Sequence, residues 1–196
     1  MAQSLPLAPR AAPVTLDEWA AWPEDEPGEI VDGRVEEVEA PEYVHELVIG
    51  WLIEMLGAWG RSRGVLVAGS GAKFAVAPAR GRMPDLTAYL PGAPRPPLRG
   101  VIRVPPSIAV EVVTPTPRDE RRDRVEKLAD YAAFGVKWYW LVDPELRTFE
   151  VLELGADGRY VHALGATGGT VDVPGCDGLR LELDGLWGEI DALARE

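Results

Sequence analysis

Apolar side chains recur every three or four residues between positions 43 and 56, and this spacing is typical of an amphipathic helix. We therefore predict a long helix over 42–59. A shorter helix is predicted over 14–27. Its N-cap is Thr15, because Glu18 stands three residues later and completes a capping-box pattern.

A third helix is predicted over 119–134, ending before Gly135, a residue type that favours the left-handed position after a helix. A terminal helix is predicted from about Leu186. The apolar face of the third helix is predicted to consist of Val125, Leu128, Ala129 and Ala132.

Two runs, 107–113 and 138–142, are apolar at nearly every position, a pattern typical of strands that are covered on both faces. Asp32 and Gly33 form a strong turn dipeptide and predict a hairpin over 29–38. The other predicted strands span 64–68, 72–77, 86–90, 148–154, 159–164 and 179–183. Strands and helices in this order predict an α/β fold, with a Pro-rich surface loop at 91–106 that could be mobile.

Length and composition favour one domain, since 46% of the 196 residues are hydrophobic. Residues 1–13 are rich in Ala and Pro and are predicted to form a flexible tail before a domain over 14–196. No run approaches the roughly 18–20 apolar residues of a membrane helix. Cys176 is the only cysteine and cannot form an intrachain disulfide. We therefore expect a cytoplasmic protein without a membrane partner.

The charge is distributed unevenly along the chain. The net charge of −12 opposes strong binding to a polyanion. Residues 61–140, however, contain fourteen Lys and Arg against seven Asp and Glu, a local charge of +7, so the other 116 residues carry −19. This asymmetry is compatible with a basic working face on an acidic body, or with scattered solubilising charge.

Two carboxylates stand where burial is expected. Glu111 lies inside the apolar run 107–113, and Asp85 begins the strand at 86–90. A buried carboxylate needs an ionic partner, a hydrogen-bond network or a metal. If the two strands are neighbours, Asp85, Glu111 and the backbone carbonyl of Val112 form an oxygen site of the kind that Mg²⁺ or Mn²⁺ takes.

Lys127 lies on the helix that follows the Glu111 strand, one turn after Asp123. Spacing alone favours a solvated Asp123–Lys127 pair. The alternative is that the ammonium points into the carboxylates, where it would position or help activate a water.

Several motifs occur in a distinctive order. They are the Pro84-Asp85 strand, Val110-Glu111-Val112, Thr114-Pro115-Thr116, Asp123, Lys127-Leu128, Tyr131, Gly135-Val136, Tyr139-Trp140 and Val142-Asp143-Pro144, with Glu29 to Gly33 and His45 before them. In this order they resemble the Uma-two family, whose members are assigned to the restriction-endonuclease-like PD-(D/E)XK nuclease superfamily. The resemblance runs from about Thr15 to Leu154.

The resemblance implies a restriction-endonuclease-like fold, a central mixed β-sheet flanked by helices, here with added β-hairpins. It also implies catalytic roles for Asp85, Glu111 and Lys127. The superfamily lysine normally stands two residues after the acid, where this chain has Val113, so the lysine would come from the following helix. Glu29 and His45, with Asp123, are possible accessory residues of the same site.

Three functions remain open at this stage. The first is a metal-dependent endonuclease whose substrate is nucleic acid, with DNA expected, and which forms a homodimer. The others are an inactive binding or assembly module of the same fold and a metal-dependent phosphoesterase acting on another substrate. Arginines of the third helix are the predicted phosphate contacts, namely Arg118, Arg121, Arg122 and Arg124, with Arg95, Arg99 and Arg103 of the Pro-rich loop as further candidates.

Overall fold

The computed structural model describes residues 13–23, 28–36 and 42–193. Residues 1–12 of the predicted tail, 24–27 of the first predicted helix and 37–38 of the hairpin lie outside the described residues. The five described α-helices are α1 Leu16–Ala20, α2 Tyr43–Gly60, α3 Pro117–Arg121, α4 Leu128–Phe134 and α5 Leu183–Leu193. The described strands are β1 Glu29–Val31, β2 Arg34–Glu36, β3 Leu66–Ala68, β4 Phe74–Ala77, β5 Arg80–Arg82, β6 Leu86–Tyr89, β7 Ile108–Val112, β8 Trp138–Asp143, β9 Thr148–Leu154, β10 Tyr160–Ala166, β11 Thr170–Asp172 and β12 Arg180–Glu182.

Six strands form a central mixed sheet in the order β10-β9-β8-β7-β6-β3. Only β7 and β8 run parallel, and the other neighbours are antiparallel. Every residue of β7 is buried, because side chains from both faces of the sheet meet a hydrophobic cluster. The prediction of a central strand at 107–113 is therefore confirmed, as is the mixed sheet with helices.

The two clusters lie on opposite faces of the sheet. One contains alternate β7 residues with α2, α5 and Trp140, and the other contains Ala109 and Val113 with Tyr131 and Tyr139. This alternation follows from the two-residue period of a strand. Glu111 shares the face of Ala109 and Val113, and it is therefore directed towards the helix that carries Tyr131.

A second sheet joins the N-terminal hairpin to two short strands in the order β2-β1-β5-β4. The fully buried Trp19 of α1 packs against it, and the indole of Trp19 donates to the Gly28 carbonyl at 2.9 Å. The capping box of Thr15 and Glu18 is present as predicted. Strand β5 was not predicted, because Arg80, Gly81 and Arg82 have no apolar alternation.

The third predicted helix contains a wider π turn, Arg122–Lys127, between α3 and α4. The prediction of its apolar face is wrong at Val125, which is 58% exposed, and Ala129 is also exposed. The buried positions are mostly charged instead, namely Asp119, Asp123, Lys127 and Asp130, followed by Tyr131. This face turns inwards because its charged groups find partners in the protein.

The Pro-rich loop at 91–106 has no regular structure beyond one bridge, but its end is fixed. Ile102 exchanges backbone hydrogen bonds of 2.8 Å with Lys73 and Ala75, and the hydroxyl of Tyr89 donates to the Val104 carbonyl at 3.0 Å. Strand β11 was not predicted, and α5 begins three residues before the predicted Leu186. No helix in the described part of the chain is long and apolar enough to span a membrane.

Candidate active site

Asp85 and Glu111 lie at the same end of neighbouring strands. The β6–β7 ladder ends at the pair Leu86–Val110, and Asp85 and Glu111 are the next residues of the two chain segments beyond it. Their charges are close enough that the Asp85 carboxylate raises the pKa of Glu111. Asp85 Oδ2 also accepts the Val112 N–H at 2.7 Å, which fixes its carboxylate against the end of β7.

Lys127 reaches this pair from the helix. Its Nζ lies 2.7 Å from Glu111 Oε2, 3.4 Å from Asp123 Oδ1 and 3.6 Å from Glu29 Oε1. The Lys127 side chain is buried, and so are these three acids. Of the two alternatives for Lys127, the solvated pair that spacing alone favoured is not found, and the ammonium points into a cluster of carboxylates.

Two accessory candidates also lie at the site. Glu29, the first residue of β1, accepts the Met83 N–H at 2.9 Å and hydrogen-bonds Arg82 at 2.8 Å. His45, in the first turn of α2, places Nε2 3.2 Å from Asp85 Oδ2. The accessory acids and His45 thus contact the predicted catalytic residues.

Two tyrosines that had no predicted role support the cluster. The Tyr131 hydroxyl donates to Glu111 Oε1 at 2.5 Å, so both oxygens of Glu111 have a partner. The Tyr139 hydroxyl donates to the backbone carbonyl of Asp123 at 2.8 Å, inside the π turn. The two rings pack edge to face with centroids 5.2 Å apart.

Burial and mutual repulsion govern the protonation of Glu111. Burial raises its pKa, the Lys127 ammonium opposes this, and the neighbouring Asp85, Asp123 and Glu29 raise it again, so the pKa lies well above 4.5. Burial lowers the pKa of Lys127, but the four surrounding carboxylates outweigh burial and raise its pKa above 10.5. The acids around Lys127 therefore hold its side chain as an ammonium ion.

Asp85 and Glu29 behave in the opposite way. Burial raises the pKa of Asp85, but the hydrogen bond from His45 and the charge of Lys127 outweigh it, so the pKa falls below 3.8. Burial likewise raises the pKa of Glu29, but Lys127 and Arg82 lower it below 4.5. Both side chains are consequently carboxylates at neutral pH, which is the form that a cation requires.

The oxygen atoms of Asp85, Glu111 and the Val112 carbonyl are ligands of the type that a hard divalent cation takes. Asp85 Oδ1 accepts no hydrogen bond from any described residue, and the Asp85 side chain remains 18% exposed. The Val112 carbonyl points to the same side of its strand as the N–H that Asp85 holds. Mg²⁺ needs only one or two carboxylates when carbonyls, waters and phosphates supply the rest.

The Lys127 ammonium already occupies part of the carboxylate of Glu111 that a cation would use. Among the described residues, no three or more Asp, Glu, His or Cys side chains are arranged to hold a metal ion as they stand. Glu111 Oε2 is held by the Lys127 ammonium at 2.7 Å. A cation at Asp85 and Glu111 would therefore share the Glu111 carboxylate with the Lys127 ammonium and the Tyr131 hydroxyl, or take the place of one of them.

The four arginines predicted to contact phosphates differ in their surroundings. Arg118 is exposed, and Arg121 has a 75% exposed side chain that pairs with Glu126 at 3.3 Å. Arg122 is largely buried against Asp119 at 2.8 Å, and Arg124 pairs with Glu150 at 2.6 Å and Asp143 at 3.3 Å. Of the four, Arg118 and Arg121 present the most surface to an external partner.

Comparison with known proteins supports the resemblance noted from the motifs. Residues 16–184 match Uma2, described as "putative restriction endonuclease". The chain belongs to the Uma2 family. The crystal structure of a "putative nuclease belonging to DUF820" from Anabaena variabilis ATCC 29413 matches with a TM-score of 0.70 and 18% identity, covering 90% of this chain and 98% of that one. At this identity the likeness shows a shared fold alone. No curated protein matches the chain.

Two residues at this Uma2 site, Arg82 and Asp130, escaped sequence reasoning. A signal for Asp130 was present, because the charged residues at 119, 123, 127 and 130 recur every three or four positions, as an inward helical face would. That signal was outweighed by the apolar residues on the other side of the helix. Nothing in the sequence around Arg82 distinguishes it from an exposed arginine.

Proposed function

We propose that this Uma2 protein is a metal-dependent endonuclease with a restriction-endonuclease-like fold, acting on nucleic acid and, by expectation, on DNA. One observation carries the proposal. Asp85 and Glu111 directly follow the last residue pair of the β6–β7 ladder, the Val112 N–H holds Asp85 against β7 at 2.7 Å, and the ammonium of Lys127 lies 2.7 Å from Glu111. Two acids with a lysine at the end of a central sheet match the residues that the PD-(D/E)XK resemblance assigns to catalysis.

Asp85, Glu111 and the Val112 carbonyl would hold Mg²⁺ or Mn²⁺. A cation in that position would polarise the scissile phosphate, lower the pKa of a water and offset charge on the leaving oxygen. The protein's own residues do the rest. Asp85 is held ionised and oriented by the Val112 N–H and His45, so it is preorganised before substrate arrives.

Lys127 acts as a fixed positive charge in this proposal. The acids around it raise its pKa, which favours this role over that of a general base. It can donate hydrogen bonds to the phosphate oxygens as they gain charge, or orient a water by donating to it. Asp123 and Glu29 keep the ammonium within the site when Glu111 is engaged elsewhere.

Substrate binding would use the exposed Arg118 and Arg121, whose contacts with phosphate give affinity without base specificity. Cutting both strands of a duplex needs two sites, so we propose a homodimer as the active form. A cytoplasmic location, a flexible tail over 1–13 and one domain over 14–196 remain predictions that accompany this function.

The purified protein should cleave plasmid DNA, single-stranded DNA or RNA in the presence of Mg²⁺ or Mn²⁺. We expect Glu111→Gln, Asp85→Asn and Lys127→Met each to lower the cleavage rate by roughly 10²–10³-fold, because each removes a group that meets developing charge. Gel assays with and without EDTA measure the cleavage. Small phosphodiesters tested in parallel separate a nuclease from a phosphoesterase with another substrate.

The controls come from a second lysine–glutamate pair. Lys137 and Glu153 lie 2.8 Å apart on the partly exposed β8–β9 side of the sheet, outside the cluster. Lys137→Met and Glu153→Gln should cleave at the wild-type rate. The nuclease proposal fails if folded wild-type protein cleaves no substrate with either metal, and a binding or assembly module then becomes the better account.

A further inference from the structure

Arg82 is a charged side chain with no exposed surface. A buried guanidinium without partners is strongly unfavourable, so its position depends on the acids around it. Its Nη1 donates to Glu29 Oε2 at 2.8 Å, and its Nε donates to Asp130 Oδ2 at 2.8 Å. Arg82 therefore joins β1 of the second sheet to α4 through β5, the strand on which it stands.

Both partners of Arg82 are connected to Lys127, Glu29 through space and Asp130 through the helix. Glu29 Oε1 lies 3.6 Å from Lys127 Nζ. Asp130 follows Lys127 by three residues and belongs to the next turn of the same helical segment. Because Arg82 holds Glu29, it constrains the acid that faces the Lys127 ammonium. Because it also holds Asp130, it constrains the helix that carries Lys127.

Each carboxylate is fixed at both oxygens. Glu29 Oε1 accepts the Met83 N–H at 2.9 Å while Arg82 holds its Oε2. Asp130 Oδ1 accepts from Arg80 at 3.0 Å while Arg82 holds its Oδ2. Glu29 and Asp130 thus have little rotational freedom, and the distance from Glu29 to Lys127 is set by the frame around Arg82.

We infer that Arg82 is a positioning residue for Lys127, holding Glu29 and Asp130 so that the ammonium stays at the site. The expected effect of Arg82 on cleavage rests on the proposed function, whereas its effect on the position of Lys127 does not. It matters most when Glu111 turns to another cation, because Lys127 then loses its partner at 2.7 Å and keeps Glu29 and Asp123.

The lysine content of the chain allows a direct test. The sequence has only three lysines, Lys73, Lys127 and Lys137. Protein labelled with ¹⁵N and ¹³C in lysine alone gives three sets of side-chain signals, and the set that Lys127→Met removes belongs to Lys127. The Nζ and Cε shifts of Lys127 then report its surroundings without any need for activity.

The test compares Arg82→Gln and Asp130→Asn with Arg147→Gln. Arg147 is the control, because it also pairs with an acid, Asp191, lies outside the helical segment of Lys127, and has no described contact with Lys127. We expect both test variants to shift the Lys127 signals and leave those of Lys73 and Lys137 in place. Arg147→Gln should leave all three unchanged.

Cleavage kinetics supply the second readout. The two test variants should lower kcat by roughly 10–100-fold with little change in KM, as substitution of a residue that orients a catalytic group does. A merely structural arginine would lower the melting temperature without moving the Lys127 signals. If Arg82→Gln does not fold, Asp130→Asn, which keeps the size of the side chain, decides alone.

Unchanged Lys127 signals in the folded test variants would overturn the inference, whatever their activity. Equal shifts in Arg147→Gln would overturn it too, since the effect would then be general. Absence of nuclease activity in the wild type would refute the proposed function only, and the Lys127 signals would still decide the role of Arg82.

Discussion

At the scale of single residues, the site is a balance of buried charges. Lys127 is surrounded by carboxylates that hold it protonated, whereas burial and the neighbouring acids raise the pKa of Glu111. The pKa of Asp85 is lowered instead, because Val112 and His45 donate to its carboxylate. Asp85, whose pKa is lowered, also has one oxygen, Oδ1, that accepts no hydrogen bond from the described residues.

Asp85 predicts a particular dependence of stability on pH. Its folded-state pKa lies below the ordinary value of 3.8, so the ionised carboxylate contributes stability above that value and the contribution is lost as pH falls through the folded pKa. Asp85→Asn lacks this contribution. We expect the wild type to exceed Asp85→Asn in free energy of unfolding at pH 5–6, and the difference to shrink below about pH 4.

Urea unfolding of the metal-free proteins at several pH values measures this difference. Asp172→Asn, which removes an exposed carboxylate paired with Arg180 at 3.6 Å, controls for the loss of one charge. A constant gap between wild type and Asp85→Asn over the whole range would contradict the stabilised carboxylate.

At the scale of elements, Lys127 lies at the end of an irregular helical turn whose buried residues are Asp123 and Lys127. A π turn takes more residues per turn than an α-helix and often occurs at functional sites. Here it spans Arg122–Lys127 and ends at the lysine itself. The Tyr139 hydroxyl, on strand β8, donates a hydrogen bond to the Asp123 carbonyl in this turn. A strand residue thus stabilises the irregular stretch of helix.

Tyr139→Phe should therefore affect both stability and activity. Loss of one buried hydrogen bond should lower the free energy of unfolding by about 1 kcal/mol. Tyr160→Phe is the matched control, because its hydroxyl donates to the Val136 carbonyl at 2.7 Å and lies outside the turn. We expect similar losses of stability in urea for the two variants but slower cleavage only for Tyr139→Phe. Equal cleavage rates would show that the turn tolerates the loss.

At the scale of the whole molecule, charge opposes the proposed substrate. The chain carries −12 overall, so nucleic acid can approach favourably only where Lys and Arg are concentrated. The excess of +7 over residues 61–140 includes the exposed Arg118 and Arg121, and also Arg122 and Arg124, which are less exposed and are held by acids. Binding should consequently be weak and strongly dependent on salt.

The salt dependence of DNA binding tests the role of Arg121. With Glu111→Gln protein, to prevent cleavage, the slope of log affinity against log salt should become shallower by about one when Arg121→Gln is added. Fluorescence anisotropy with a labelled duplex measures the slope. Arg180→Gln, an exposed arginine on the separate β11–β12 sheet, should leave it unchanged. Identical slopes for the two variants would remove Arg121 from the binding surface.

The sequence by itself determined most of the elements and the two acids. Apolar runs and helical spacing identified the buried strand β7 and the long helix α2, because both obey the period of their structure. A glutamate in the middle of a buried strand identified Glu111 because such a position needs compensation. These inferences depend on neighbours along the chain, which a sequence shows directly.

Only the tertiary structure decided which charged residues are inside. Val125 was expected in the core and is exposed, whereas Asp123 and Lys127, for which spacing alone favoured a solvated pair, are buried. Arg82 and Glu29 belong to a second sheet whose strand β5 has no apolar pattern. The physical reason is that a buried charge is stabilised by partners distant in sequence, so its burial depends on the assembled sheets and not on its local pattern.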